Sequence, residues 1–416
     1  MSIYYVSNNG CDCKDGLTPE TAWATIAKVN ETIKGGDVVK FRCGDTFYGR
    51  IQPPAGIDPD HRTTYESYGE GKKPVVSQYK IIKPEAWVEV DKNVWRVDLS
   101  DTANFTGNVT NINNNIGFMK IDGKIYGKKV FKLEDLDTQW DFYNDDDGKR
   151  YAWVKSEKNP AELAKEIKLA CNIGCVGFTD NLAVHGIVFN GTGGHGISGV
   201  THYAHIADCE FHEIGGSRLI GYPNPTTRYG NGVETWANSN NVTVERCRFS
   251  EIYDVAITMQ GRPVKTSWVN MYFINNVMWN CLQCFEIWSS GDVPETGFVN
   301  CHFEGNSCID TGYCWAYAVR PNKQVAVPLL LYGLECPLCD ITVAHNTFSR
   351  SKIATIFKSG GVPAFPKDYK IYDNIIIRDA GQDIIYRDKS TSDEDYAAFL
   401  KMIEDNNDVR DTMFYE

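Results

Sequence analysis

VTVERCRF, residues 242–249, decides the fold. Val242, Val244, Cys247 and Phe249 alternate with polar neighbours, the period of a half-buried β-strand, and a small residue sits at the centre of the second half. The same figure recurs as VHGIVF around His185, ADCEF around Cys209, ERCRF around Cys247, INNVM around Asn276, VNCHF around Cys301, AHNTF around Asn346 and YDNII around Asn374. Successive steps are 24, 38, 29, 25, 45 and 28 residues, so a unit of about 24 to 29 persists with two longer insertions, the mark of stacked repeats.

Each unit is too short to bury a face alone. Helical repeats do not fit, because Asn and Gly stud the units and no spacing of three and four is sustained. A leucine-rich horseshoe expects several leucines per repeat, and a propeller expects four strands in about 40 residues. The remaining architecture is an all-β right-handed parallel β-helix. In such a coil the small residue faces inward and stacks on its counterparts about 4.8 Å above and below. An Asn there passes hydrogen bonds along the stack, and a Cys packs as a small buried hydrophobe. This puts Cys209, Cys247 and Cys301 inside.

Outside the repeats, the chain divides into 1–81, a cap and first coils; 82–168, an insertion; 169–388, the main coils; and 389–416, a closing helix. Thr18-Pro19-Glu20 opens a short amphipathic helix through Trp23, Ile26, Ala27 and Val29, ended by Gly35-Gly36 and suited to sealing the first coil. In 82–168 the rhythm gives way to segments such as AWVEV, GFMKIDGKIY and RYAWVKS, which read as antiparallel hairpins with turns at Asp122-Gly123 and Asp147-Gly148. Ser392 before DEDYAAFLKMIED reads as the N-cap of the closing helix.

The net charge of −12 argues against a nucleic-acid partner. No run of 18 apolar residues points to a membrane, and the opening MSIYYVSNNG has no signal-peptide pattern. With 14 cysteines, a cytoplasmic chain with reduced thiols is the expectation. Cys281-x-x-Cys284 and Cys336-x-x-Cys339 have zinc-like spacing, but they stand at different offsets from their repeats and fall at different corners of the coil. No metal and no cofactor is expected, and the oligomeric state is open.

The opening YYVSNNGCDCKDGLTPETAWATIAKVN, with GGDVVKFRCGDTFYG and YESYGEGKKPVVS, resembles the first segment of carbohydrate-active right-handed β-helix proteins, the pectate-lyase-like superfamily. RYGNGVETWANSNNVTVERCRFSEIYDVAITMQG resembles the central coils of its glycoside-hydrolase-like members. The resemblance covers most of the chain and implies a saccharide substrate. It does not choose a reaction, since the superfamily holds hydrolases, lyases, epimerases and non-catalytic proteins.

The chemistry must come from one face. A second strand in each unit aligns as HGIS at 195, VETW at 233, ITMQ at 257, FEIW at 285, LLYG at 330 and TIFK at 355, so that Glu234, Gln260 or Thr258, Glu286, Tyr332 and Lys358 project from one sheet. Glu234 shares a face with Trp236 and Glu286 with Trp288. Asp254 adds a third acid at the turn into the intervening coil. Glycoside hydrolysis needs one carboxylic acid to protonate the leaving oxygen and one carboxylate as base or nucleophile, and Glu234, Asp254 and Glu286 are the candidates. Trp236, Gln260, Arg262, Trp288, Arg228, Tyr229, His195, Tyr332 and Lys358 are the candidate substrate-binding residues. Long segments at 215–232, with Arg218, Tyr222, Arg228 and Tyr229, and at 306–340, with Tyr313, Trp315, Tyr317 and Arg320, are expected to wall the groove. A glycoside hydrolase is the leading reading. A lyase or epimerase using Arg262, Lys265 or Lys358 against a uronate is the alternative, and a glycan-binding solenoid is the third.

Overall fold

The computed structural model describes residues 1–110, 113–144, 150–261, 266–289, 295–334, 338–358, 369–387 and 392–412. Three parallel sheets of ten, ten and eight strands wind the chain into a right-handed β-helix. One turn runs through Asn240–Glu245 in the first sheet, Arg248–Ile252 in the second and Val255–Gly261 in the third, and the next begins at Trp268–Ile274. Glu245 then lies beside Ile274, Arg248 beside Val277 and Ile257 beside Phe285. Like therefore stacks on like. Phe189, Phe211 and Phe249 form a column with centroids 5.4 and 4.9 Å apart, and each such ring contributes roughly 1.5–3 kcal/mol by leaving water.

The polar ladder is real, with two corrections of position. Cys247 N donates to Asn276 Oδ1 at 2.9 Å. Asn276, Asn306 and Asn346 each donate a backbone N–H and a side-chain amide to the Oδ1 of the next rung, at 2.8–3.0 Å, and Asn374 does the same to Asn407. The rung in the fifth of the seven repeats is Asn306. Cys301 is buried five residues earlier, within the first-sheet strand Gly297–Glu304, beside Met271. In the first coil the inward position belongs to Ile187, while His185 faces outward and meets His205 at 3.1 Å. The residue before each rung turns the corner in the left-handed region: Asp208, Arg246, Asn275, His345 and Asp373 have φ between 50° and 58°, and glycine takes the place at 186 and 305. Asn407, the last rung, donates its amide to Ile371 O and to Ile403 O of the C-terminal helix.

The N-terminal helix is shorter than its sequence pattern. Thr18 caps a 3-10 turn at Pro19–Thr21, the chain extends through Trp23, and Thr25 caps a separate α-helix at Ile26–Thr32 that buries Ile26 and Val29 in the coil core. The break follows from Asp12, whose carboxylate accepts from the N–H groups of Ala24 and Thr25 and so holds that stretch extended. The C-terminal helix Asp393–Asn406 has Ser392 as its N-cap and buries Phe399 and Ile403. A strand Asp408–Asp411 follows it and adds to the second sheet.

Two antiparallel sheets interrupt the coils. One joins Lys80–Ile82, Phe105–Gly107, Ile116–Ile121, Ile125–Tyr126 and Ile167–Cys171; the other joins Val88–Asp91, Val94–Asp98, Phe142–Asn144 and Tyr151–Lys155. The Asp122-Gly123 turn connects the hairpin Ile116–Ile121 to Ile125–Tyr126, both turn residues having positive φ. The Asp147-Gly148 turn lies outside the described residues. This subdomain has its own core, with Trp87, Val97, Met119, Phe142 and Val154. It docks on the coil through Glu213, which accepts from Tyr79 Oη at 2.5 Å and Tyr126 Oη at 3.2 Å and pairs with Lys120.

The thiols depart from expectation at one point: Cys11 and Cys13 are joined in a disulfide. Cys281 and Cys284 are buried in the core, as is Cys339 in the first sheet, and Cys336 lies outside the described residues.

Candidate active site

The third sheet carries the site because its strands alternate strictly there. Val233, Ile257, Phe285 and Leu329 point inward at one register, while Glu234, Thr258, Glu286 and Leu330 form the outward column beside it. Two residues on, Trp236, Gln260, Trp288 and Tyr332 form a second outward column. Thr258, and not Gln260, therefore stands between the two glutamates. Their backbones are two strand spacings apart, about 9.6 Å.

The expected alignment slips at its flanks. Ser198 is the residue opposite Glu234, so His195 precedes its strand. Lys358 pairs with inward Leu331; it is 1% exposed, on the opposite face from the site, with its ammonium over the Phe399 ring. A one-residue slip reverses a strand's faces, and Lys358 is removed from the candidate binding residues. Arg262 and Lys265 lie outside the described residues.

A cavity of about 410 Å³ opens over the two columns. Its lining includes Glu234, Asp254, Glu286, Trp236, Gln260, Trp288, Arg228, Tyr229, His195 and Tyr332, together with Asn231, Arg320, Leu219, Tyr222 and Thr227. All three candidate acids thus meet in one pocket, as do most of the candidate binding residues. The hairpin Ser217–Arg218 with Arg228–Tyr229 forms one wall. The expected second wall differs: 306–340 contains the strands Ser307–Thr311 and Leu329–Leu334, and only the segment between them is inserted. From it Arg320 reaches the cavity. Trp315 instead stacks on Tyr126 of the subdomain at 5.1 Å, and Tyr313 and Tyr317 pack against Lys352.

Glu234 is 1% exposed. Its Oε1 accepts from Asn231 Nδ2 at 3.3 Å and from Gln260 Nε2. Asn231 is oriented by its own Oδ1, which accepts Val255 N–H at 3.1 Å, so its amide N–H₂ must face the glutamate. His195 Nδ1 accepts the backbone N–H of Asn231 at 3.1 Å, which leaves the ring proton on Nε2. That nitrogen lies 3.0 Å from Glu234 Oε2, an oxygen removed from water. Burial lowers His195 to about 4, so the ring is neutral at ordinary pH. Burial raises Glu234 to about 8, reinforced by the charges of Glu286 and Asp254. Glu286 is raised to about 8 by the same cause, with Asp254 adding to it and the Thr258 hydroxyl, 3.0 Å from Oε2, opposing it. Asp254 pairs with Arg320 at 2.8 Å.

The cations of the pocket are engaged. Arg228 donates to Gly216 O at 2.5 Å and Gly117 O at 2.7 Å and lies over the Tyr253 ring, which makes it a brace between the hairpin and the subdomain. Tyr229 Oη donates to Asn172 Oδ1 at 2.7 Å, and its ring packs on His195 at 5.0 Å. Asn231, bonded to Glu234, and Thr258, bonded to Glu286, are the positions beside the acids that sequence reading passed over or left undecided. The dipeptide Asn231-Gly232 immediately before VETW was the available signal, a small turn residue leading into the strand that carries an acid.

No protein-family model matches the sequence, and no curated protein matches it. Among solved structures, one described as a glycoside hydrolase aligns with 93% of this chain and 95% of its own, at 11% identity and a TM-score of 0.52. A GH136 lacto-N-biosidase from Eubacterium ramulus aligns with 99% of this chain and 68% of its own, at 12% identity and a TM-score of 0.51. At these identities the likeness is one of fold, shared with structures described as glycoside hydrolases.

Proposed function

We propose that the protein is a carbohydrate-active enzyme and, more specifically, a glycoside hydrolase that uses Glu286 as proton donor and Glu234 as the partner carboxylate. The observation that carries this reading is two buried carboxyls two coils apart in one cavity, each pushed up to about 8. Two such groups near a third acid cannot all ionise cheaply, so the pair keeps a proton at neutral pH. The N–H groups of Gln260 and Asn231 around Glu234 favour it as the anion, while Glu286 has a hydroxyl partner and the adjacent Asp254 charge. A proton held on Glu286 is the one available to a leaving glycosidic oxygen. Trp236, Trp288 and Tyr332 supply ring faces for the sugar.

Elimination from a uronate requires a cation to neutralise the substrate carboxylate. Among the described residues, the guanidinium groups lining this cavity are held by Asp254 and by backbone carbonyls, which favours a neutral glycoside. Solved structures that share this fold include glycoside hydrolases, in keeping with this reading.

A panel of aryl glycosides tests it. Glu286→Ala should lose most activity on poor leaving groups yet retain it on dinitrophenyl glycosides, which need no proton. Glu234→Ala should lose activity on both by about a thousandfold or more. Wild-type rates in both variants refute the assignment, and a product with a conjugated double bond replaces hydrolysis by elimination.

A further inference from the structure

We infer that the cavity receives one end of a saccharide chain and that the rest of the chain runs along the coil axis toward the C-terminus, over Tyr332 and Tyr386. The inference rests on the saccharide-binding part of the function proposed above; it adds the direction of the substrate and the residues that hold its far side.

One side of the cavity is closed by bracing. The hairpin at 217–229 lies over the coils that precede Glu234, where Tyr229 reaches Asn172 and packs on His195. It is tied to the antiparallel subdomain at several points. Arg228 donates to Gly117 O, Asn115 Nδ2 donates to Arg218 O at 2.8 Å, Arg218 N donates to Asn115 Oδ1 at 2.9 Å, and Ser217 Oγ donates to Asn115 O at 2.9 Å. A wall fixed by reciprocal hydrogen bonds to a separately cored subdomain does not swing aside for a passing polymer.

The other side continues as rings. The outward column that holds Glu234, Thr258 and Glu286 proceeds through Leu330 and Phe357 to Tyr386. Tyr332 lines the cavity, is 45% exposed, and lies 6.4 Å from the Phe357 ring. Tyr386 stacks on Phe357 at 5.6 Å and 20°, with 39% of its surface exposed. Phe357 itself is buried and serves as the support between the two exposed rings. Solvent-facing aromatics held in place by a buried ring, continuous with a sugar-sized pocket, form a surface for flat apolar sugar faces. At about 4.8 Å per coil, Tyr332 and Tyr386 lie about two coils apart, a distance that a short oligosaccharide spans.

Calorimetric titration of the Glu286→Gln protein separates the possibilities. The probes are xylo-, cello- and galacto-oligosaccharides of increasing length together with lacto-N-tetraose. Affinity should rise with chain length beyond what the cavity holds. Adding Tyr386→Ala or Tyr332→Ala should cost the longer members about three- to tenfold, the size of one stacking contribution, with a loss that grows with length. Unchanged melting temperatures establish that the variants are folded. Length-independent affinity, or equal losses on short and long probes, overturns the track while leaving the proposed hydrolase intact. Failure of every saccharide to bind overturns both.

Discussion

Replacing Glu286 by glutamine should make the folded protein more stable, and only at higher pH. The carboxyl titrates near 4.5 in an unconstrained chain and is pushed to about 8 in the fold by burial and by Asp254. Between those values the folded protein holds a proton that the unfolded chain has released. The stability associated with this group is therefore fully present below about pH 4.5, declines as pH rises, and the decline is complete above about 8. At pH 7 it amounts to about 3 kcal/mol, an upper figure because Glu234 titrates in the same field. Glutamine keeps the shape, can still bond to the Thr258 hydroxyl, and carries no charge to bury. Thermal scans of wild type and Glu286→Gln at about pH 5 and about pH 8.5 measure the difference: the variant should melt several degrees above wild type at the higher pH and converge with it at the lower. A gap that is the same at both values, or a variant less stable at the higher pH, refutes the account of a costly buried acid retained for chemistry. Activity should follow the same proton, with its alkaline limb falling near 8.

Two further perturbations follow from the scaffold. Asn306→Ala removes the acceptor of two bonds from Asn276 and the side-chain amide that donates to Asn346 Oδ1 and Phe273 O in the buried ladder, and should cost about 2–4 kcal/mol; a urea midpoint equal to wild type would contradict the ladder's role. Arg228→Ala cuts the brace to Gly216 and Gly117, and should raise KM about tenfold on a hydrolysed aryl glycoside with a smaller change in kcat, since the loosened hairpin affects binding before chemistry; an unchanged KM would show that the wall needs no brace.

The coil was legible because its signal is periodic and redundant: stacked strands repeat the same inward residues, so Val244, Phe249 and Asn276 announce the core in coil after coil. The errors have local causes. VNCHF imitates a corner because Asn300 is itself left-handed, at φ 53°, within a bent first-sheet strand; the true corner is Gly305-Asn306. Lys358 was misplaced because strand parity carries no marker of its own, and a lysine resting on an aromatic ring inside the coil breaks the polar-outside rule. Glu234 and Glu286 could be placed on one face because Glu234-x-Trp236 and Glu286-x-Trp288 repeat one pattern at a spacing the coil fixes. The hydrogen bonds around Glu234 were not legible, since Asn231 and Gln260 reach it from separate parts of the coil. The disulfide between Cys11 and Cys13 was missed because thiol state was inferred from compartment alone.

The amide of Asn407 has a consequence for self-association. In Asn276, Asn306, Asn346 and Asn374 that amide bonds to the asparagine of the following coil; in Asn407 the carbonyl of Ile403, from the last helix, takes that asparagine's part. A stack of identical rungs is an open template, able in principle to recruit another chain at its end as amyloid strands do. Here the helix acts as a chain terminator. Its Ile403 carbonyl takes the amide of that rung, and its Phe399 and Ile403 pack into the coil core, so the row presents no unbonded side-chain amide at this rung.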